Sequence, residues 1–137
     1  MTITIFREIT LRQIVTGQSK DISLRQLHDQ LTELMKEIDG FEEEKNKMLA
    51  GFALRGGDGS QAENLRKQLD GESQRFFRRK DEIMRRIGEV QELREGEEIA
   101  AGSLEGPWEL KVGDDFTALG RAQIVLKDGV VAEIRTD

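Results

Sequence analysis

Apolar and polar residues alternate at the start of the chain. Ile3, Ile5, Ile9 and Leu11 fall on odd positions, while Thr2, Thr4, Glu8 and Thr10 fall on even ones. A period near two puts one set on each side of an extended chain, so the stretch reads as a half-buried strand. Phe6 breaks the alternation and points to a bulge or a strand used on both sides. Thr16-Gly17-Gln18-Ser19 has the composition of a turn.

From Leu24 the period changes. Leu24, Leu27, Leu31, Leu34, Ile38, Phe41, Lys45, Met48 and Phe52 follow steps of three and four, a heptad seam with one charged interruption, which is the pattern of a coiled coil. Ser23 marks its start, with Gln26 three residues on and Ile22 placed to staple against Leu27; Ser19 is the competing start. The run stops in the glycines of Gly56-Gly57-Asp58-Gly59, and Ser60 with Glu63 opens a second helix that continues to about Glu95, before Gly96. The two helices, each ~45–50 Å long at ~1.5 Å per residue, are joined by a turn at 55–60.

An antiparallel hairpin requires facing positions to have numbers with a constant sum. With 114, Leu24 meets Val90, Leu27 meets Ile87, Leu31 meets Ile83, Ile38 meets Phe76 and Phe52 meets Ala62. The layers Leu34/Lys80, Phe41/Ser73 and Lys45/Leu69 are weaker, and there the lysine stems lie along apolar surface with the ammonium in water. Charge selects the same register: residues 33–44 hold six acids and one base, and they face residues 72–86, with six bases and three acids.

Strand patterning returns near the C-terminus. Trp108, Leu110 and Val112 alternate, Gly113 to Asp115 turns, and Ile124 to Lys127 is joined by Asp128-Gly129 to Val130 to Ile134. Asp-Gly between β-rich runs is a strong hairpin signal, since both central residues of a type I′ turn need positive φ. Two or three short strands alone are marginal, so the N-terminal strand is expected to join them, with Trp108 anchoring a small core. The fold class is α+β: a long antiparallel two-helix coiled-coil hairpin (19–95) inserted between an N-terminal strand (1–18) and a small C-terminal antiparallel β module (96–137).

These ends carry a resemblance. Ile9 to Thr16, Leu110 to Phe116 and Ile124 to Arg135 resemble the YlqD family of uncharacterised bacterial proteins, while the middle matches only as a charged helical stretch. The resemblance implies no catalytic or binding residues, because the family has no established activity. It implies a leaning toward translation or RNA metabolism, since genes of the family lie near those for ribosome-maturation factors. The Gly-rich tip at 56–59 is not a family feature.

The charge of −6 is spread unevenly: residues 96–137 carry nine acids against four bases, 19–95 seventeen against fifteen, and 1–18 one against two. So acidic a C-terminal segment is a poor grip for a phosphate backbone. With 35% charged and only 5% aromatic residues, the chain suits extended helices better than one thick core. It has no cysteine for a disulfide or thiolate site, no signal-peptide pattern and no run near the ~20 apolar residues of a membrane span. A cytoplasmic, non-membrane protein is expected.

Catalytic chemistry is not visible. His28 is the only histidine and has no second ligand or nucleophile beside it. Glu42, Glu43 and Glu44 point ~100° apart on a helix and cannot converge on one ion. Gly56 to Gly59 lacks the Lys-Ser/Thr and preceding strand of a phosphate loop. Gly40, Gly71 and Gly88 inside the helices mark bends or close contacts. We therefore expect no enzyme, cofactor or metal.

Two surfaces stand out instead. His28, Met35 and Leu49 share a phase just off the first seam, as do Phe77 and Met84 on the second helix, and together they form an apolar flank for a homodimer or higher oligomer. Arg75, Arg78, Arg79, Arg85 and Arg86, around Phe76 and Phe77, are the runner-up surface, for RNA or the ribosome. The leading expectation is a scaffold that binds itself and a protein partner not identified by its sequence; nucleic acid ranks behind.

Overall fold

The structure, a computed structural model, describes residues 1–56 and 59–136. Among them the element order is β1 (Thr2–Ile14), α1 (Gly17–Leu54), α2 (Gly59–Glu92), β2 (Glu98–Lys111), a 3₁₀ turn (Phe116–Arg121), β3 (Gln123–Lys127) and β4 (Val130–Arg135). The chain divides into two compact units, one of residues 1–21 with 93–137 and one of residues 22–92. No helix of the described residues is long and apolar enough to cross a membrane.

Helix α1 begins earlier than Ser23, the start expected from the sequence. Thr16 caps it: the Ser19 backbone N–H donates to Thr16 Oγ1 and the Thr16 N–H donates to Ser19 Oγ, each at 2.9 Å. This reciprocal pair satisfies two donors that a helix start leaves orphaned. Serine stands where Glu or Gln is usual, so the sequence spacing favours Ser23/Gln26 over this cap. At the far end Gly56 adopts φ +66°, the left-handed conformation that closes a helix without Cβ strain. The rest of the expected turn, Gly57 and Asp58, lies outside the described residues.

In the helical unit, contacts descend α2 as they ascend α1, so the helices are antiparallel. Glu37 pairs with Arg79 at 3.3 Å, Phe41 packs on Phe76 with ring centroids 5.2 Å apart, and Lys45 pairs with Asp70 at 3.0 Å. The buried residues are Leu27, Leu34 and Ile38 on α1 and Leu69, Ser73 and Ile87 on α2, all of them seam positions. The Lys45 side chain is only 18% exposed while its ammonium reaches the Asp70 carboxylate, so its stem fills the layer as proposed. One seam position is corrected. Met48 is 48% exposed and Leu49 is half-buried, because the step after Lys45 is four residues, not three. Leu65 is half-buried on α2 and shares the sum 114 with Leu49.

The other unit is a four-stranded sheet in the order β2-β1-β3-β4. β1 runs antiparallel to β2 along its whole length, from Thr2↔Lys111 to Ile14↔Glu98, and parallel to β3 only over Thr10–Gln13. β4 returns antiparallel to β3 through Asp128 and Gly129, whose φ values of 50° and 80° are those of a type I′ turn. Beyond Thr10 toward the N-terminus, β1 and β2 therefore form a two-stranded ribbon. Val15, Ala122 and Val125 are the buried apolar residues of this unit. Val15 is held on both backbone sides, its N–H donating to Glu97 O and its carbonyl accepting from the Gly96 N–H, each at 2.8 Å.

Residues opposite each other in the ladder share a face. Ile3, Ile5, Ile9 and Leu11 of β1 thus lie on one face with Leu104, Trp108 and Leu110 of β2 and Ile124 of β3. Thr2, Thr4, Glu8, Thr10 and Arg12 lie on the other, with Glu105 and Glu109. Trp108 does not anchor a closed core. It remains 37% exposed, with the Arg7 guanidinium 3.8 Å above its ring centroid.

Candidate interaction surfaces

Ridges along α1 and α2 decide what the hairpin presents. His28 and Met35 follow seam residues Leu27 and Leu34 by one position, and Phe77 and Met84 likewise follow Phe76 and Ile83. In an antiparallel pair these phases lie along one flank. Phe77 is 47% and Met84 52% exposed, Met35 is half-buried, and His28 is exposed. The His28 backbone carbonyl accepts the Thr32 hydroxyl at 3.0 Å. Leu49, expected on this flank, belongs to the seam for the reason given above. The apolar strip is consequently Met35, Phe77 and Met84, and it ends at Glu42, Lys45 and Asp70. The opposite flank is ionic, as Glu37 with Arg79 shows.

The basic residues of α2 separate into two groups. Arg85 donates to Glu82 at 2.7 Å and also pairs with Glu89, Arg86 reaches Glu82 at 3.3 Å, and Arg79 is taken by Glu37. The Arg85 hydrogen bond is the largest cause holding the Glu82 carboxyl below its ordinary range. Arg75 and Arg78 are exposed. Arg75 and Arg79, with Glu72, rim an open cleft of about 370 Å³ floored by Phe41 and Phe76. The small Ser73 side chain at a seam position, with its hydroxyl 3.5 Å from Glu42, leaves the two rings partly uncovered. Gly40, Gly71 and Gly88 mark no close contact among the described residues, since a Cβ at each would meet none of their atoms within 4 Å outside its own helix backbone.

In the sheet unit the polar face carries an ion cluster. Arg135 donates to both carboxylate oxygens of Glu98 at 2.9 Å and to Glu133 at 3.0 Å, and Arg12 lies 3.8 Å from Glu98. The bidentate Arg135 contact, first among the causes, lowers the Glu98 pKa. On the apolar face, Arg7 and Trp108 line a cleft of about 360 Å³ with Asp114, Asp115, Ala118 and Leu119. Asp115 caps the 3₁₀ turn, accepting from the Thr117 N–H at 2.9 Å and its hydroxyl at 2.6 Å, and these bonds lower its pKa. Asp114 accepts from the Lys111 N–H at 2.8 Å.

Among the described residues no group of three or more His, Asp or Glu side chains is placed to hold a metal ion. Sequence reasoning missed the amphipathic continuity of the sheet, because the register of β1 on β2 was not available from periodicity alone.

The family model described as YlqD protein matches residues 3–135, so the chain belongs to the YlqD family. A crystal structure of a protein of unknown function from Synechococcus sp. WH 8102 has the same fold, with a TM-score of 0.73 at 24% identity, covering 98% of this chain and 95% of that one. No functionally curated protein matches the chain.

Proposed function

We propose that this YlqD-family chain is a non-catalytic scaffold that self-associates through the Met35, Phe77 and Met84 flank of its helical hairpin and presents a protein-binding surface. The observation that supports this reading is the exposure of Phe77 (47%) and Met84 (52%) at one heptad phase beside Met35. Helices are stabilised mainly by burying an apolar face, and a two-helix hairpin covers only the seam side of each. A second hairpin laid against this flank completes a four-helix arrangement with two-fold symmetry. RNA binding by α2 gains little support, because Arg79, Arg85 and Arg86 already pair with glutamates.

Light scattering of the full chain at micromolar concentration tests the reading, with dimeric or larger mass expected. The double variant Met35→Glu/Met84→Glu should reduce that mass. A mass that is identical in wild type and variant would sink the hairpin contact.

A further inference from the structure

We infer that the apolar face of the sheet is a second self-interface, which packs on the same face of another copy of this chain. The inference is independent of the hairpin contact and stands without it.

The face is most exposed toward its margins, while Ile5, Ile9, Leu11, Leu110, Ile124 and Leu126 between them are half-buried. Ile3 is 62% accessible, Leu104 51%, Trp108 37%, Val131 53% and Ile134 67%. Val131 and Ile134 join it because the register shift between Val125 and Leu126 puts them opposite Leu126 and Ile124. They lie on β1, β2 and β4 and are joined across the ladder by the half-buried apolar residues Ile5, Ile9, Leu11 and Ile124. Their exposed area is on the order of 500 Å², and the flanking Met1 and Val112, 109% and 94% accessible, raise it toward the ~800 Å² per partner of a standard interface. Monomers rarely expose a contiguous apolar patch of that size.

Charge favours a second copy as the occupant. Along the β1–β2 ribbon the acids Glu8, Glu105 and Glu109 lie on the opposite face by register, and so does the Glu98 and Arg135 cluster. The unit is acidic, yet among the described residues the strands of this face carry one charged side chain, Arg7, stacked on Trp108 beside Asp114 and Asp115 at the cleft wall. Two copies can meet here without opposing their acids, and each Arg7 faces a surface that also supplies carboxylates. Packing two sheets face to face also supplies the second layer that a single sheet lacks.

Trp108 is the chain's sole tryptophan and reports on this face directly. Sedimentation and iodide quenching of Trp108 in the full chain form the test, with Ile3→Lys/Ile134→Lys as the disrupting variant. Thr4→Lys on the opposite face is the control. We expect the lysine pair to halve the sedimenting mass at this interface and to raise Trp108 quenching, as dilution of the wild type should. Thr4→Lys should do neither. In the Met35→Glu/Met84→Glu background the sheet contact should persist as a dimer, with Trp108 still protected, and adding the lysine pair should give monomers. Circular dichroism that matches wild type shows that a lost contact is not lost folding. If Trp108 quenching is unaffected by dilution and equal in wild type and the lysine pair, or if the methionine variant is already a monomer with its sheet intact, the interface does not exist. A mass that the methionine pair leaves unchanged but the lysine pair halves would reject only the hairpin reading.

Discussion

The two units solve the same problem differently. In the helical unit each long helix buries one stripe against the other, so Leu27, Leu34, Ile38, Leu69 and Ile87 are shielded. Its surface ion pairs are mostly local, three or four residues apart on one helix, as in Glu82 with Arg85 and Arg86. In the sheet unit the buried apolar residues among those described are Val15, Ala122 and Val125, and a long-range ion cluster joins β1, β2 and β4 on one face while the other stays apolar and partly exposed. A helix pair buries its seam within one chain and leaves only a flank, whereas a one-layer sheet gains its ladder bonds but leaves a face to cover.

The largest expected effect breaks the helical side of this comparison. Leu34 is 2% exposed, and Leu34→Ala should cost about 2–5 kcal/mol by removing buried methyl groups and leaving a cavity. Thermal melting followed by circular dichroism at the helical band should fall sharply. If the units unfold separately, the Trp108 fluorescence transition stays in place. A common drop in both transitions would mean that the chain melts as one cooperative body.

A smaller effect sharpens the seam itself. Leu49→Ala should cost about 2 kcal/mol, in the range for a partly buried leucine, while Met48→Ala should stay within roughly 0.5 kcal/mol. Denaturant unfolding of the two variants side by side decides which residue occupies the layer, and equal costs would restore Met48 to it. Smaller still are the glycines. Gly129→Ala should destabilise the β3–β4 turn by about 1 kcal/mol, because its φ of 80° strains any residue with a Cβ. Gly71→Ala should stabilise α2 by about 0.5–1 kcal/mol, since the added methyl meets nothing within the chain. A loss of assembly in Gly71→Ala would show instead that another copy approaches that backbone.

Much of this architecture was legible from residue periodicity. The seam on α1 and α2 and the Asp128-Gly129 turn follow from local rules that need no knowledge of tertiary neighbours. The step to Leu49 did not, because Met48 and Leu49 are both apolar and adjacent, and only the pairing with Leu65 distinguishes them. The parallel pairing of β1 with β3 is also invisible locally. It depends on where the 3₁₀ turn returns the chain, fixed by the Asp114 and Asp115 caps and by the bond from the Thr10 N–H to Ala122 O at 3.0 Å. Candidate surfaces fared likewise: the phase of Phe77 and Met84 was readable, whereas the open sheet face required the ladder register.

The gentlest prediction turns the ion cluster of the sheet against the local pairs of the hairpin. Glu98 has its folded pKa lowered by Arg135, and by Arg12 to a lesser degree. A depressed carboxylate contributes stability that is fully present above its unfolded value, and that contribution is lost as pH falls through the folded one. The Trp108 transition should therefore weaken as pH is lowered from the ordinary glutamate value of 4.5. In Glu98→Gln the same transition should begin lower at neutral pH and change less on acidification, because the titrating group that bridges Arg12 and Arg135 is gone. Glu82 is also depressed, but its partners sit on its own helix, and exposed pairs of that kind contribute little. The helical band of Glu98→Gln should thus follow the wild-type pH profile while the Trp108 profile flattens. Parallel Trp108 profiles in the two proteins would show that the cluster orders β4 against β2 without adding to the stability of the sheet.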